Sequence, residues 1–440
     1  MAEELPNPLL SEPEVVEPAG ENAPFGVTAA PAGRAAAAFI FLTVTLDMLA
    51  LGMIIPVLPR LIEGFLHGNV GQSAKMIGLF GTIFALMQFV FSPLLGALSD
   101  KFGRRPVVLL SNFGMGLDYV VMALAPALSW LFVGRVISGL TASSIPTAMA
   151  YMADVTPQEK RAAAFGMLNA AFGIGFVVGP ALGGVLGNVN PRMPFWVAGG
   201  LSLLNGMYGL FVLPESLPKE RRKKPNWKRA NPVGSLALFK KVHGLLPLAG
   251  LLLMGYVAQQ SLMNVYVIYA TARYGWTVRT VGISLAVVGV FQGIYGVFLV
   301  KPMVAKLGER MSILVGYLGG ALGYWMFGFT KTGLLLFLGI PALNMMAVAW
   351  PAAQSIMSRH TPAHEQGLMQ GAINSLRGIA GLVGPMLFTL VYARSVGVGA
   401  LVPSQGATFY LASGLLLVGL AIAWGSLRKE QPASVTASRS

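Results

Sequence analysis

Residues 156–180 read TPQEKRAAAFGMLNAAFGIGFVVGP, and residues 361–385 read TPAHEQGLMQGAINSLRGIAGLVGP. When the first stretch is shifted by 205 positions onto the second, some of the aligned positions carry the same residue in both. The same shift pairs Gly103 with Gly308, Thr156-Pro157 with Thr361-Pro362, Gly166 with Gly371, Asn169 with Asn374, Gly173 with Gly378, and Gly179-Pro180 with Gly384-Pro385. A single register that serves separated places predicts an internal duplication of one structural unit.

The composition of the chain indicates whether water or lipid surrounds the duplicated unit. Of 440 residues, 55% are hydrophobic and only 11% are charged, whereas a soluble domain has about 25% charged residues. Lipid must therefore cover most of the surface. Because about 20 apolar residues span a bilayer as a helix, the length predicts an all-α polytopic membrane protein with roughly a dozen spans.

The apolar runs place six spans in each copy of the duplicated unit. We predict the first six at 35–58, 75–97, 106–125, 128–152, 163–187 and 194–213. We predict the second six at 244–271, 279–300, 310–330, 333–356, 367–393 and 405–427. Twelve transmembrane helices in two pseudo-symmetric six-helix bundles follow, an architecture that many secondary transporters share.

The segments outside the bundles are polar: the tail at 1–34 holds six glutamates and one basic residue, whereas the connection between the bundles is strongly basic. The net charge is +14, and 22 of the 31 Lys and Arg residues fall in the two tails and in the loops on the same side as the tails. The positive-inside rule then makes both termini cytoplasmic, and this placement argues against a nucleic-acid partner. The basic linker between the two groups of six spans, residues 214–243, is either an orientation signal or an amphipathic segment on anionic lipid headgroups. The predicted divisions are a disordered tail at 1–34, bundles at 35–213 and 244–427, a basic linker at 214–243 and a second tail at 428–440.

Several classes of function are excluded by what the chain lacks. It has no cysteine and only four histidines, none of which we place in the middle of a span. We therefore expect no cofactor and no metal site. Because no serine-histidine pair or helix-borne pair of acids is evident, we also expect that the protein is not an enzyme.

Apart from residues at the ends of spans, four charged residues lie in the interior of predicted spans: Asp47, Asp118, Arg135 and Arg377. An intramembrane arginine costs about 2.5–3.5 kcal/mol on insertion scales, so each such residue needs a partner or a role. Removing a carboxylate from water disfavours its charged form, which suits a proton carrier. Asp47 and Asp118 are therefore candidates for proton coupling. The alternatives are a permanent ion pair with Arg135 or a neutral, hydrogen-bonded acid.

The loop GALSDKFGRRP at 96–106 places one acid and three cations at the mouth between spans two and three. As a whole string it resembles the signature loop of the major facilitator superfamily. That resemblance implies that Asp100 and Arg104 help to lock a cytoplasmic gate. GFVVGPALGG, at 175–184, resembles the fifth-span motif of antiporters in the superfamily and adds Gly179 and Pro180 as gating residues. The glycine spacing also fits plain helix packing.

Further stretches are similar to one branch, the bacterial tetracycline/proton antiporters. They are Thr45-Leu46-Asp47, Pro56-Val57-Leu58-Pro59, Ala85-Leu86-Met87-Gln88-Phe89, Asp118-Tyr119 and Gly282-Ile283-Ser284-Leu285-Ala286. By that resemblance Asp47, Gln88 and Asp118 would face a central cavity. Departures from the branch lie in the carboxyl half, where Gly320 replaces an aspartate, Gln292 replaces a histidine, and Arg377 is an added base.

The resemblance implies a proton-coupled antiporter that exports a drug-like amphiphile, such as one of the tetracycline class, by alternating access. We expect a monomer in the bacterial inner membrane. The candidate substrate contacts are Gln88, Arg135, Gln260, Asn264, Gln292 and Arg377. Two alternatives stay open: a major facilitator transporter of an endogenous metabolite or sugar, and a membrane receptor or scaffold that does not transport.

Overall fold

The computed structural model describes residues 31–142, 144–222, 234–242, 244–362, 365–396 and 404–429. Helices make up nearly all of these ranges. The predicted disordered tail falls almost entirely outside the described residues, as does the most basic part of the predicted linker. The predicted helical class is confirmed.

The described residues of the amino half form eight α-helices, which make up the first six spans. Span one is broken at Ile55–Val57 into two pieces, and span four contains two described helices, of which the first ends at Thr141 and the second begins at Ser144. The helices are α1 (Pro31–Ile54), α2 (Leu58–Phe65), α3 (Val70–Phe102), α4 (Arg104–Leu124), α5 (Leu128–Thr141), α6 (Ser144–Val155), α7 (Arg161–Val189) and α8 (Met193–Val212).

The carboxyl half repeats the pattern after short helical turns. The helices are α9 (Ala237–Lys241), α10 (Leu245–Tyr274), α11 (Val278–Ile294), α12 (Val300–Phe329), α13 (Gly333–Asn344), α14 (Met346–His360), α15 (Gln366–Ser395) and α16 (Ala407–Lys429). A π-helical turn, Tyr295–Leu299, joins α11 to α12. Single-turn 3-10 helices occur at Gln158–Lys160, Lys219–Arg221 and Gly234–Leu236.

The number of spans depends on one glycine. Across the described ranges, 11 helical stretches are long and apolar enough to cross a membrane. One of them, Val278–Phe329, has 52 residues, or about 78 Å at 1.5 Å per residue, more than twice the thickness of a hydrocarbon core. Gly308 interrupts it with φ 73° and ψ 165°, a left-handed backbone that favours glycine. The stretch is therefore two spans, and the predicted twelve are confirmed.

Within the amino half, α7 packs closely on α1 along a row of glycines. A Cβ atom added at Gly175 would lie 2.7 Å from the backbone nitrogen of Leu49, and one at Gly183 would lie 2.1 Å from the carbonyl oxygen of Met53. Gly179 is equally close to the backbone of Gly52. The spacing of four residues predicts this shared face, and only glycine allows two helix backbones to approach so closely.

The two halves meet along two pairs of helices, α3 with α15 and α7 with α11. Their close contacts begin at the end of the bundle opposite the termini and stop near the middle of the helices. Along α3 they run from Gly71 against Ala393 to Phe89 against Gly378.

Beyond those contacts the halves separate. Glycines on the termini side of the same four helices would gain a Cβ with no atom within 4 Å: Gly96, Gly166, Gly293 and Gly367. The described bundle is thus closed at one end and open at the end that carries both termini.

Candidate functional site

A cavity lies between the halves near the level where their contacts stop; we call it the central cavity. Its wall is largely apolar and includes Phe176, Leu262, Met263 and Trp350. Three amides interrupt the apolar wall: Gln259, Gln292 and Asn344. An apolar pocket with a few fixed polar groups is the usual form of a site for a small amphiphile.

The predicted polar contacts are divided between the cavity and a helix interface. Gln292 is exposed on the cavity wall, whereas Gln88 is exposed on α3 outside that lining, with its amide nitrogen 3.5 Å from the Ala142 carbonyl oxygen. Gln260 and Asn264 instead lie where α10 approaches α15 and α3, beside Gly384 and Gly81. The Asn264 amide donates to the Gln260 backbone carbonyl at 3.0 Å and to its side-chain Oε1 at 3.1 Å. In this conformation the Asn264 and Gln260 side chains are hydrogen-bonded to each other.

Asp118 and Arg135 form an ion pair inside the amino half. The Asp118 side chain is fully buried on α4, and an Nη2–Oδ2 distance of 3.4 Å joins it to Arg135 on α5. The guanidinium also lies 3.1 Å from the Met122 sulfur and 5.7 Å from the centre of the Phe84 ring. A charged pair that is so well enclosed interacts strongly because little water screens it.

Asp47 is the second buried acid of the amino half. It lies on α1 with 1% of its surface exposed. One turn earlier on the same helix, the Thr43 hydroxyl donates to the Asn205 side-chain oxygen of α8 at 3.3 Å. Asp47 and Asp118 are both within electrostatic range of the buried Tyr119 side chain. Both acids are therefore buried within the amino half, shielded from the solvent of the open end.

Arg377 is exposed on α15, directly before the last contact between the halves at Gly378. Its guanidinium carbon lies 5.1 Å from the centre of the Tyr256 ring. That ring packs in turn on Trp350 of the cavity wall, with centroids 5.7 Å apart. No carboxylate of the described residues forms an ion pair with Arg377.

The signature loop forms a network within the amino half. Arg104 pairs with Asp100 at 2.7 Å and with Asp154, at the end of α6, at 3.1 Å. Glu215, just after α8, accepts hydrogen bonds from the backbone N–H groups of Arg104 at 2.8 Å and Arg105 at 3.3 Å. Sequence reasoning singled out Asp100 and Arg104 but not their partners, which are distant in sequence and come from two other spans.

The carboxyl half repeats this contact with the charges exchanged. At the duplication offset, Arg104 corresponds to Glu309 and Asp154 corresponds to Arg359. Glu309 and Arg359 form a bidentate ion pair, in which Arg359 Nη1 lies 2.6 Å from Glu309 Oε1. The Ser355 hydroxyl also donates a hydrogen bond to Glu309. Partial burial raises the pKa of the Glu309 carboxyl, but the bonds from Arg359 and Ser355 lower it more, so the net pKa is below its ordinary value.

Comparison with known proteins found a matching family profile and similar proteins of known name. Residues 40–385 and 248–440 match the family profile described as Major Facilitator Superfamily. The class C tetracycline resistance protein of Escherichia coli is 37% identical over 373 residues, which are 84% of this chain and 93% of the relative. The class B protein of Escherichia coli is 34% identical over 364 residues, 81% of this chain and 88% of the relative.

Solved structures share the fold. The human organic anion transporter MFSD10 aligns with a TM-score of 0.66 at 24% identity, covering 89% of this chain and 100% of that one. A D-xylose-proton symporter aligns with a TM-score of 0.72 at 18% identity, covering 89% and 97% of the two chains.

Proposed function

Because this chain belongs to the major facilitator superfamily, we propose that it is a proton-coupled antiporter that exports a tetracycline-class amphiphile by alternating access. Membership of the family makes it a membrane transporter and not an enzyme. The observation that carries the proposal is the geometry of the two halves, packed at one end and separated at the other around a central cavity. A rocking motion of such halves exposes one site to each side in turn.

The substrate class is supported by the relatives and by the cavity. Two relatives at 37% and 34% identity are named tetracycline resistance proteins. The cavity wall is apolar, with methionine, tryptophan and a few amides, so it suits a flat amphiphile with dispersed polar groups.

Proton coupling is assigned to Asp118 and Asp47. Protonation of Asp118 would cancel its attraction for Arg135, so proton uptake and rearrangement of the pair are linked. Because the proton-motive force supplies about 2.3 kcal/mol per 100 mV and about 1.4 kcal/mol per pH unit, a modest gradient supports roughly hundredfold accumulation.

Gating is assigned to the two ion-paired networks at the open end. Asp100 and Arg104 would rearrange when that end closes, while Gly179 and Pro180 keep α7 close to α1 and α11. The Pro180 carbonyl oxygen would lie 2.3 Å from a Cβ added at Gly282, so it lies at the packed contact between the halves.

The orientation follows the charge distribution. We place both termini in the cytoplasm, which makes the described conformation open to the cytoplasm, where an exporter loads its substrate. A monomer in the bacterial inner membrane fits this scheme, with bundles at 35–213 and 244–427 joined by the basic linker at 214–243.

Uptake of tetracycline into inverted membrane vesicles tests the proposal. With an imposed pH gradient, the parent should accumulate the drug and the Asp47→Asn variant should lose gradient-dependent accumulation. Glu159→Gln, which removes an exposed acid outside the spans, is the matched control and should behave as the parent. Absence of uptake by a well-expressed parent would contradict the assignment of substrate.

A further inference from the structure

We propose that Arg377, Tyr256 and Trp350 form a subsite for the anionic group of the transported molecule, so that the preferred substrate is an aromatic amphiphile with a carboxylate or enolate. This inference rests on the proposed function, because it concerns the substrate of the same cavity. We call the three residues the anion subsite.

The charge of Arg377 has no counter-charge in its own half. Between residues 244 and 427 the sequence contains only two acids, Glu309 and Glu365. Both are engaged near the open end: Glu309 with Arg359, and Glu365 with Lys241 at 2.5 Å. In the described part of the amino half, Asp118 pairs with Arg135 instead.

The position of Arg377 makes it accessible to a bound molecule. It lies about 16 Å along α15 from the start of that helix at 1.5 Å per residue, well inside the span. Its neighbour Gly378 is in the last contact with α3, so Arg377 is exposed at the top of the opening. A cation that must stay charged at this depth is stabilised most by an anion that enters with the substrate.

Two further donors lie beside it. The Tyr256 side chain is buried, with only 4% of its surface exposed, and its hydroxyl has no hydrogen-bond partner among the described residues. The Trp350 indole nitrogen is likewise buried without a partner in that part of the chain. Buried polar groups are normally satisfied, so two unsatisfied donors on adjoining rings that are tilted by 45°, one of them next to the Arg377 guanidinium, indicate a ligand oxygen as their partner.

The chemistry of the three side chains selects the ligand. A guanidinium binds planar oxyanions through paired hydrogen bonds, and the partly exposed Trp350 ring on the cavity wall offers a face to an aromatic skeleton. A cationic amphiphile would be repelled by Arg377, and a neutral one would leave its charge uncompensated. The subsite therefore favours a delocalised oxyanion attached to an aromatic body.

Binding of matched fluorescent amphiphiles tests the subsite on the purified full-length chain in detergent. The probes are 1-pyrenebutyrate and the uncharged 1-pyrenebutanol, detected by energy transfer from tryptophan. The parent should bind the carboxylate at least tenfold more tightly than the alcohol. Arg377→Gln should weaken carboxylate binding by about 10- to 100-fold, the usual range for a charged hydrogen bond, with alcohol binding changed less than twofold.

Companion variants separate charge from geometry. Arg377→Lys keeps the charge but not the planar fork, so it should fall between the parent and Arg377→Gln. Tyr256→Phe should weaken only carboxylate binding, by about threefold to tenfold. Lys331→Gln removes an exposed charge of the same half and should leave both affinities unchanged.

Equal affinity of the parent for the two probes, or equal loss of both in Arg377→Gln, would overturn the anion subsite. Failure of the proposed function is a separate result, because it is read from gradient-driven tetracycline uptake. A chain that selects the carboxylate through Arg377 but accumulates no drug would keep the subsite and refute the drug assignment. A chain that accumulates drug without that selectivity would do the reverse.

Discussion

Replacing Asp118 by asparagine should destabilise the protein more than replacing Arg135 by glutamine. Asp118→Asn leaves a buried guanidinium that cannot lose its proton, whereas Arg135→Gln leaves a carboxyl group that can be neutralised by taking one up. Breaking one side of a buried pair costs about 3–5 kcal/mol. The Phe84 ring and the Met122 sulfur remain beside Arg135, so we expect about 3 kcal/mol, the lower end of that range.

Arg135→Gln and the double variant complete a double-mutant cycle with Asp118→Asn and the parent. Arg135→Gln should cost about 1–3 kcal/mol, the desolvation cost of an unpaired polar group. The double variant carries two neutral amides that can bond to each other, so it should lie within about 1 kcal/mol of the parent. The coupling energy between the sites should then be about 3 kcal/mol or more, far above the few tenths expected for independent positions.

The assay is unfolding of the purified chain by sodium dodecyl sulfate in mixed micelles, followed by circular dichroism. Glu159→Gln serves as the control for loss of an acid outside the spans. The reasoning fails if Asp118→Asn is as stable as the parent, or if the double variant is no more stable than the worse single variant.

Three other changes test separate parts of the structure. Gly183→Ala should destabilise by about 1–3 kcal/mol in the same assay because its Cβ collides with the backbone of α1, while Gly173→Ala, with no atom within 4 Å, should be neutral. Gly282→Ala should push α7 and α11 apart at the packed end and so shorten the distance between spin labels at the open end; an unchanged distance would contradict the contact. Because the pKa of Glu309 is depressed in the folded chain, its bond to Arg359 stabilises above the ordinary glutamate pKa of about 4.3 and is lost as the pH falls further. Glu309→Gln should therefore flatten the loss of stability below that pH, and an acid transition identical to that of the parent would refute the assignment.

The sequence predicted features that depend on local pattern. The lengths of apolar runs fixed twelve spans, and the spacing of Gly175, Gly179 and Gly183 predicted the face on which α7 meets α1. Those features need only the period of a helix and the thickness of a bilayer. The break at Gly308 also follows from the duplication, since it aligns with Gly103 in the signature loop.

Other features depend on how helices are rotated and packed, which residue pattern alone does not determine. Whether Asp118 pairs with Arg135 was left open, because it depends on the packing of α4 on α5. Gln260 and Asn264 have the polarity of cavity residues, but the rotation of α10 places them at the helix interface. Which end is open depends on the relative free energies of two conformations of one sequence, so no motif could indicate it.

Obligatory exchange of drug for protons through the buried acids can be measured without an imposed pH gradient. Tetracycline is loaded on one side of proteoliposomes that contain the purified chain and an internal pH indicator. Drug flowing down its gradient should drive protons the opposite way, and Asp47→Asn should abolish this proton movement. Drug flux through the parent with no accompanying proton movement would contradict obligatory exchange.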